Sequence, residues 1–241
     1  MELKGLELVI PYHGEYLYVR NLVESILIAT KQCPYRIFLV DDASKNKNFL
    51  NEMKQLSNIV EGIRLPGRRG FGGALNAAIQ ATKLPFLVFL HSDMKMVDSK
   101  WLIELYKSYC RLKKSNNVQM VCATSNNPPY MCESLYRNPK DKKEDAVATE
   151  PLPIFAALCS RDLFQQVGGF REYKFGYYED EEFYWRLKRW GYNEGISGAS
   201  YIEHYGGKTV QSLLQSNPEA KVIMTETNRQ QCLQDVRKMY K

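Results

Sequence analysis

Three short runs constrain the fold more than any other feature: LELVI (6–10), RIFLV (36–40) and PFLVFL (85–90). Each is apolar at nearly every position, as a strand covered on both faces must be, whereas a strand with one wet face alternates. Helical spacing fills the gaps, from Glu15 to about Lys31 and from about Gly73 to Thr82, with a weaker strand near 59–64. A helix from about Ser99 to Lys114 and a strand at VQMVCA (118–123) continue the alternation. Such a rhythm predicts an α/β fold, a mostly parallel sheet flanked by helices.

Beyond residue 125 the rhythm breaks. Residues 126–150 contain NNPPY and NPKDKKED and read as a long surface loop. Order returns with PIFAALCSRDLFQQVGGF (153–170), a strand-like GASYIEH (198–204) and a helical tail over roughly 219–239. The 241 residues suit one large domain with an appended element. No apolar run reaches the length of a membrane span, and the N-terminus reads directly as a strand rather than as a signal peptide. The six cysteines (33, 110, 122, 132, 159, 232) form no C-x-x-C pair, which predicts reduced thiols and a cytoplasmic setting. A net charge of +6 suits an anionic partner: a nucleotide diphosphate, a nucleic acid or an acidic membrane surface.

In open α/β sheets ligands bind at the carboxyl ends of the strands. Pro11, Tyr12 and His13 follow the first strand; Asp41, Asp42, Ala43 and Ser44 follow the second. Arg68, Arg69 and GFGGALN (70–76) follow the third, and His91, Ser92 and Asp93 follow the buried fourth. One rim thus collects an aromatic, carboxylates, a basic pair, a glycine-rich turn and a histidine. The glycine turn is not a dinucleotide fingerprint, because Leu75 stands where the third glycine would be. It suits either a plain tight turn or backbone amides offered to an anion. Asp93 fits a divalent cation that bridges phosphates, with His91 as a second ligand or as its orienting partner. His204 in EHYGGKT is a further candidate ligand, or else a buried structural histidine.

The run GYYEDEEFYWRLKRWGY (176–192) places four acids at a helix start. At about 100° per residue, Phe183, Leu187 and Trp190 share a stripe, and Asp180 projects onto it. Glu182 falls within i,i+4 reach of Arg186, so the outer acids are expected in water. Acids also favour a first turn for its dipole alone.

Taken together and in order, VIPYH, LVDDAS, RRGFGGALN, FLHSD, LFQQVGGFRE, YEDEEFYWRLKRWGY and IEHYGGKT resemble an inverting family-2 glycosyltransferase with the GT-A fold, closest to a rhamnosyltransferase-like branch. The resemblance implies a GT-A domain over 1–215, with a nucleotide-sugar half (1–95), an acceptor and catalytic half (96–215), and a tail over 216–241. Pro11, Tyr12, His13 and Asp42 would hold the nucleotide, Asp42 accepting from a pyrimidine N–H. Arg69, Gly70, Gly72, Gly73, Asn76 and Ser92 would lie along the sugar nucleotide, and Lys208 stands near a position often Gln in that branch. Asp93 matches the last Asp of the D-x-D motif, and His91 occupies the place of the first. With His204 they would bind Mn²⁺ or Mg²⁺. Asp180 matches the catalytic base of the family's ED motif, with Glu179 in support. The implied partners are a nucleoside-diphosphate sugar and a glycan or glycoconjugate acceptor, with peripheral contact to an anionic membrane compatible with the basic charge.

Three other readings compete. A sugar-1-phosphate nucleotidyltransferase would want a basic, glycine-rich loop after the first strand, where PYHGEY stands. A binding module without catalysis would explain His91 in the metal motif, but Asp93, Glu179 and Asp180 argue against it. Nucleic-acid binding lacks a basic-aromatic motif, and the Lys-rich loop is offset by its own acids.

Overall fold

A computed structural model of the chain describes residues 5–129, 132–141, 143–207, 211, 213–215 and 217–240. The first half alternates as the apolar runs predict: β1 (Leu6–Tyr12), α1 (Tyr16–Ala29), β2 (Tyr35–Asp41), α2 (Phe49–Lys54), β3 (Val60–Arg64), α3 (Gly70–Ala81) and β4 (Phe86–Leu90). Then come β5 (Met94–Lys95), α4 (Trp101–Asn116), β6 (Val118–Ser125), β7 (Ala146–Val147), β8 (Ala156–Ser160), α5 (Asp162–Val167), α6 (Glu179–Arg189) and β9 (Asn193–His204). A C-terminal helix (Asn228–Met239) comes after a π-helical turn at Ile223–Thr227.

The strands form one sheet in the order β3-β2-β1-β4-β8-β6-β9-β5, with β7 pairing β9 off that path. β1 pairs in parallel with both β2 and β4, and all seven of its residues are buried, which is why its run carries no alternation. The chain builds outward from β1 to β3 on one side and restarts at β4 on the other. That reversal makes the β1/β4 boundary a switch point, where a crevice opens beyond the carboxyl ends. β8 runs antiparallel to β4 and β6, while β6 and β9 are parallel. The carboxyl ends of β1, β4, β6 and β9 therefore meet at one edge.

The sequence expectations and the elements differ in three places, each for a physical reason. α3 starts at Gly70 rather than Gly73, because the Asp42 carboxylate accepts from the Arg69 and Gly70 amides at 2.7 and 2.9 Å and caps the helix from the end of the neighbouring strand β2. β9 starts at Asn193 rather than Gly198 and absorbs a bulge: its pairing with β6 passes from Ala123–Ser197 to Thr124–Tyr201. The segment 126–150 is not wholly irregular, since it holds a 3-10 turn at Glu133–Leu135 and strand β7. Its Asp145 accepts from Ser108 at 2.9 Å and pairs with Arg111 at 2.7 Å, which ties the segment to α4. Among the described residues no helix is long and apolar enough to cross a membrane.

Candidate active site

A cavity of about 400 Å³ opens at the shared carboxyl edge. Pro11, Tyr12 and His13 from the end of β1, Asp42 beyond β2, and His91, Ser92 and Asp93 beyond β4 all line it, together with Gly70, Glu179, Asp180 and His204. Most of the residues singled out at the strand ends therefore share one space.

On one wall, Tyr12 is buried edge-on to Phe49, with ring centroids 5.5 Å apart. His13 lies beside it, its Nδ1 2.6 Å from the Asp42 carbonyl oxygen; a carbonyl only accepts, so the Nδ1 hydrogen is committed there. Burial pushes the Asp42 carboxyl above its ordinary value, opposed by the two amides that donate to it and by Arg68 and His13. Arg68 reaches the cavity with its guanidinium 5.2 Å from the centre of the Phe175 ring, a cation over an aromatic face.

Opposite stand His91, Asp93 and His204, whose ligand atoms all lie within 4.8 Å of one another. Backbone pairing assembles them. Met94 pairs with His204 across β5 and β9, and the Tyr205 amide donates to the Asp93 carbonyl at 2.9 Å. Beyond β6, the Asn126 side chain accepts from the His204 amide at 3.0 Å. Nδ1 of His204 donates to the Asn127 carbonyl at 2.7 Å, so Nε2 faces Asp93 Oδ1 at 3.1 Å. A ring lone pair and a carboxylate oxygen at that distance repel unless a proton or a cation lies between them. His91 sits edge-on to Phe71 with centroids 5.1 Å apart; burial, helped by His204, pushes its pKa down to about 4, which leaves a neutral ring with a free lone pair. Two imidazoles and a carboxylate make a donor set suited to a divalent cation.

The acid-rich helix forms the third wall. It is entered through four consecutive residues with left-handed φ, Phe175 at 68°, Gly176 at 101°, Tyr177 at 75° and Tyr178 at 73°. For the three that are not glycine this costs on the order of 1–3 kcal/mol each, which surrounding contacts must offset. Glu179 is buried, and its Oε2 has no hydrogen-bond partner among the described residues. Asp180 is half-buried and accepts from the Glu181 amide at 2.9 Å. Burial pushes both carboxyls up, Glu179 to about 8 with Asp180 adding to it, and Asp180 to about 6. The expectation that the outer acids are solvated is corrected: Glu182 is wholly buried. Its carboxylate pairs with Arg186 and lies 3.6 Å from Arg171, because Arg186 is itself held by the Val167 and Gly169 carbonyls over that face. The predicted i,i+4 pair is present.

Four residues read as lying along the sugar nucleotide do not line the cavity. Arg69 turns away to pair with Glu172, donating from Nε at 3.1 Å. Asn76 exchanges two hydrogen bonds with the Phe170 backbone, at 2.8 and 2.9 Å. Gly72 and Gly73 are small for packing: a Cβ at Gly72 would lie 2.3 Å from the Arg171 carbonyl, and one at Gly73 2.5 Å from Arg69 Cβ. Lys208 lies outside the described residues. In turn, Phe175, Tyr177, Asn127 and Ile154 line the cavity without having been singled out, as does Arg68, read only as the partner of Arg69 in a basic pair. The doublet Arg68–Arg69 signalled a basic contact but not which member makes it.

The chain is 27% identical over 218 residues to a Drosophila melanogaster protein named as a putative polypeptide N-acetylgalactosaminyltransferase 10, covering 78% of this chain but only 33% of that protein. It therefore spans about a third of the length of that relative. Among solved structures, GalNAc-T7 with UDP, GalNAc and Mn²⁺ superposes with a TM-score of 0.63 at 16% identity, over 84% of this chain and 44% of that one. The mannosyltransferase PcManGT from Pyrobaculum calidifontis, with GDP-Man and Mn²⁺, gives 0.66 at 17% identity, over 83% and 56%. TarS of S. aureus gives 0.60 at 15% identity, over 98% and 71%. At these identities the structures speak for a shared GT-A architecture. The model of glycosyl transferase family 2 matches residues 7–168, well over half of the chain, from within β1 to just past the end of α5, and the chain belongs to that family.

Proposed function

We propose that the chain is a divalent-cation-dependent, inverting glycosyltransferase. It moves a sugar from a UDP-, dTDP- or GDP-linked donor, rhamnose among the candidates, to a hydroxyl of a glycan or glycoconjugate. One observation carries this reading: Asp180, a carboxyl suited to be charged near neutral pH, opens into the same cavity as the His91, Asp93 and His204 cluster.

Each residue has a task in this reading. Tyr12, His13 and Asp42 form a pocket for the nucleotide base, and residues 1–95 make up the donor half. Arg68, over Phe175, contributes a positive charge where a diphosphate would lie. His91, Asp93 and His204 would hold Mn²⁺ or Mg²⁺, the imidazoles favouring Mn²⁺ over the oxygen-demanding Mg²⁺. Such an ion offsets charge on a departing diphosphate. Asp180 accepts the proton of the acceptor hydroxyl as its oxygen attacks the anomeric carbon, and the donor's bond to the diphosphate breaks on the opposite face. Glu179, neutral at pH 7, keeps the second carboxyl from competing for charge. All six cysteines are free, in keeping with action on the cytoplasmic side, peripheral to a membrane where the acceptor is lipid-linked.

The test is release of nucleoside diphosphate from UDP-, GDP- and dTDP-sugars with Mn²⁺, Mg²⁺ or EDTA, with Asp93→Ala and Asp180→Ala alongside. Metal-dependent release from one donor, lost in both variants, is the expected result. Release that survives EDTA refutes the metal role. A product with the donor's anomeric configuration, read by NMR, refutes Asp180 as the base.

A further inference from the structure

The C-terminal helix lies beyond the family match, which ends at residue 168, yet it touches the loop that leads into the catalytic acids. Asn228, buried at the first position of that helix, donates one amide hydrogen to the Lys174 carbonyl at 2.9 Å and the other to the Gly176 carbonyl at 2.6 Å. Both hydrogens of a single side-chain amide are thus spent on the two carbonyls that bracket Phe175. Those carbonyls sit at the entrance to the left-handed run Phe175–Tyr178. A run of this kind has no helix or strand ladder of its own, so its conformation depends on what its carbonyls and side chains meet. The π-helical turn Ile223–Thr227 comes immediately before Asn228. Apolar contacts act from the same side: Phe175 and Tyr177 pack against a buried cluster of Leu213, Ala220 and Met224. Phe175 and Tyr177 also line the cavity beside Asp180.

We propose that Asn228 is a positioning residue for glycosyl transfer. It locks the left-handed run in the conformation that turns Phe175 and Tyr177 toward the cavity and starts α6 with Asp180 aimed into it. This role rests on the glycosyltransferase reading above. The clamp itself is a separate physical claim and is measured separately.

The experiment compares Asn228→Asp, an isosteric change that replaces the donating amide with an acceptor, with Gln231→Ala on the exposed side of the same helix. Three readouts are taken: donor Kd by calorimetry, kcat for donor turnover, and hydrogen exchange of the amides over 174–181. Asn228→Asp is expected to lower kcat about 100-fold, the effect of misplacing a reacting group by about 1 Å, while donor Kd weakens by less than about tenfold, the share that passes through the Arg68–Phe175 contact. Its amides over 174–181 exchange at least about tenfold faster, and Gln231→Ala matches the wild type throughout. A folded Asn228→Asp with wild-type kcat overturns the proposal, and so does a loss confined to donor affinity. If Asn228→Asp does not fold, Asn228→Ser, which keeps one donor and adds no charge, is judged by the same criteria. A wild-type chain that turns over no donor overturns the functional reading instead, whereas unchanged exchange over 174–181 in the variant overturns the clamp.

Discussion

Glu179 and Asp180 are neighbours in sequence but not in chemistry. Glu179 is buried with one oxygen unpartnered among the described residues, and its pKa is pushed up to about 8, so it is neutral at pH 7. Asp180 opens to the cavity, keeps an amide hydrogen bond and rises only to about 6, so it is mostly charged there. A base works in its unprotonated form, so turnover should rise with pH through about 6 and level off above about 7, as a pH profile of kcat/KM in the absence of acceptor limitation would show. Asp180→Asn should lower kcat by about 10²- to 10⁴-fold with donor binding retained. Glu179→Gln, which copies a neutral carboxyl, should stay within about tenfold of wild type. Equal losses in both variants would remove the distinction. That Asp180 shares one cavity with His91, Asp93 and His204 was legible at this scale, because all four sit at strand ends or a helix start. That Asn127 fixes the His204 tautomer was not, since the contact depends on where a chain leaving β6 happens to pass.

The N-terminus of α3 shows how one element can serve a use other than the one its composition suggests. Its glycines suit either a plain tight turn or backbone amides offered to an anion, and Gly70 does line the cavity. The first amides, however, are taken by Asp42, and Gly72 admits the Arg171 carbonyl where a side chain would clash. Gly72→Ala should therefore destabilise the fold by about 1–3 kcal/mol, measured by urea denaturation, because the clash is with backbone that cannot rotate away. A variant as stable as wild type would mean the loop over 171–176 yields easily. The run of apolar residues announced β1, β2 and β4 because burial on both faces leaves that signature. α2, β5 and β7 left none, being too short for any period to build up.

Across the whole molecule, the burial that shapes the site also leaves a charge-free acid in the core. Glu194, at the start of β9, is buried, accepts from the Leu152 amide at 3.0 Å and has no partner for its other oxygen among the described residues. Burial pushes its pKa from an ordinary 4.5 up to about 8. The folded chain keeps a proton that the unfolded chain sheds between those values. The stability this confers is full below about 4.5 and is lost as pH rises toward 8. Glu194→Gln removes that dependence and should melt about 5 °C above wild type at pH 8, with the gain shrinking by pH 5. A melting profile parallel to wild type across that range would contradict it. The overall α/β architecture was legible because alternation of strand and helix dictates it. The contact of the C-terminal helix with the site was not, because nothing in an amphipathic pattern says which neighbour it will meet.

β9 carries a further consequence, for which changes of chain length the lineage can accept. It reaches the metal cluster after a bulge at 198–200, and from Tyr201 to His204 its register against β6 and β5 is unbroken. An inserted or deleted residue can be absorbed at the bulge, where an irregularity already exists. The same change between Tyr201 and His204 would turn the histidine to the opposite face of the sheet. Members of the family that keep this cluster should therefore differ in length before residue 201 or after 204, and not between.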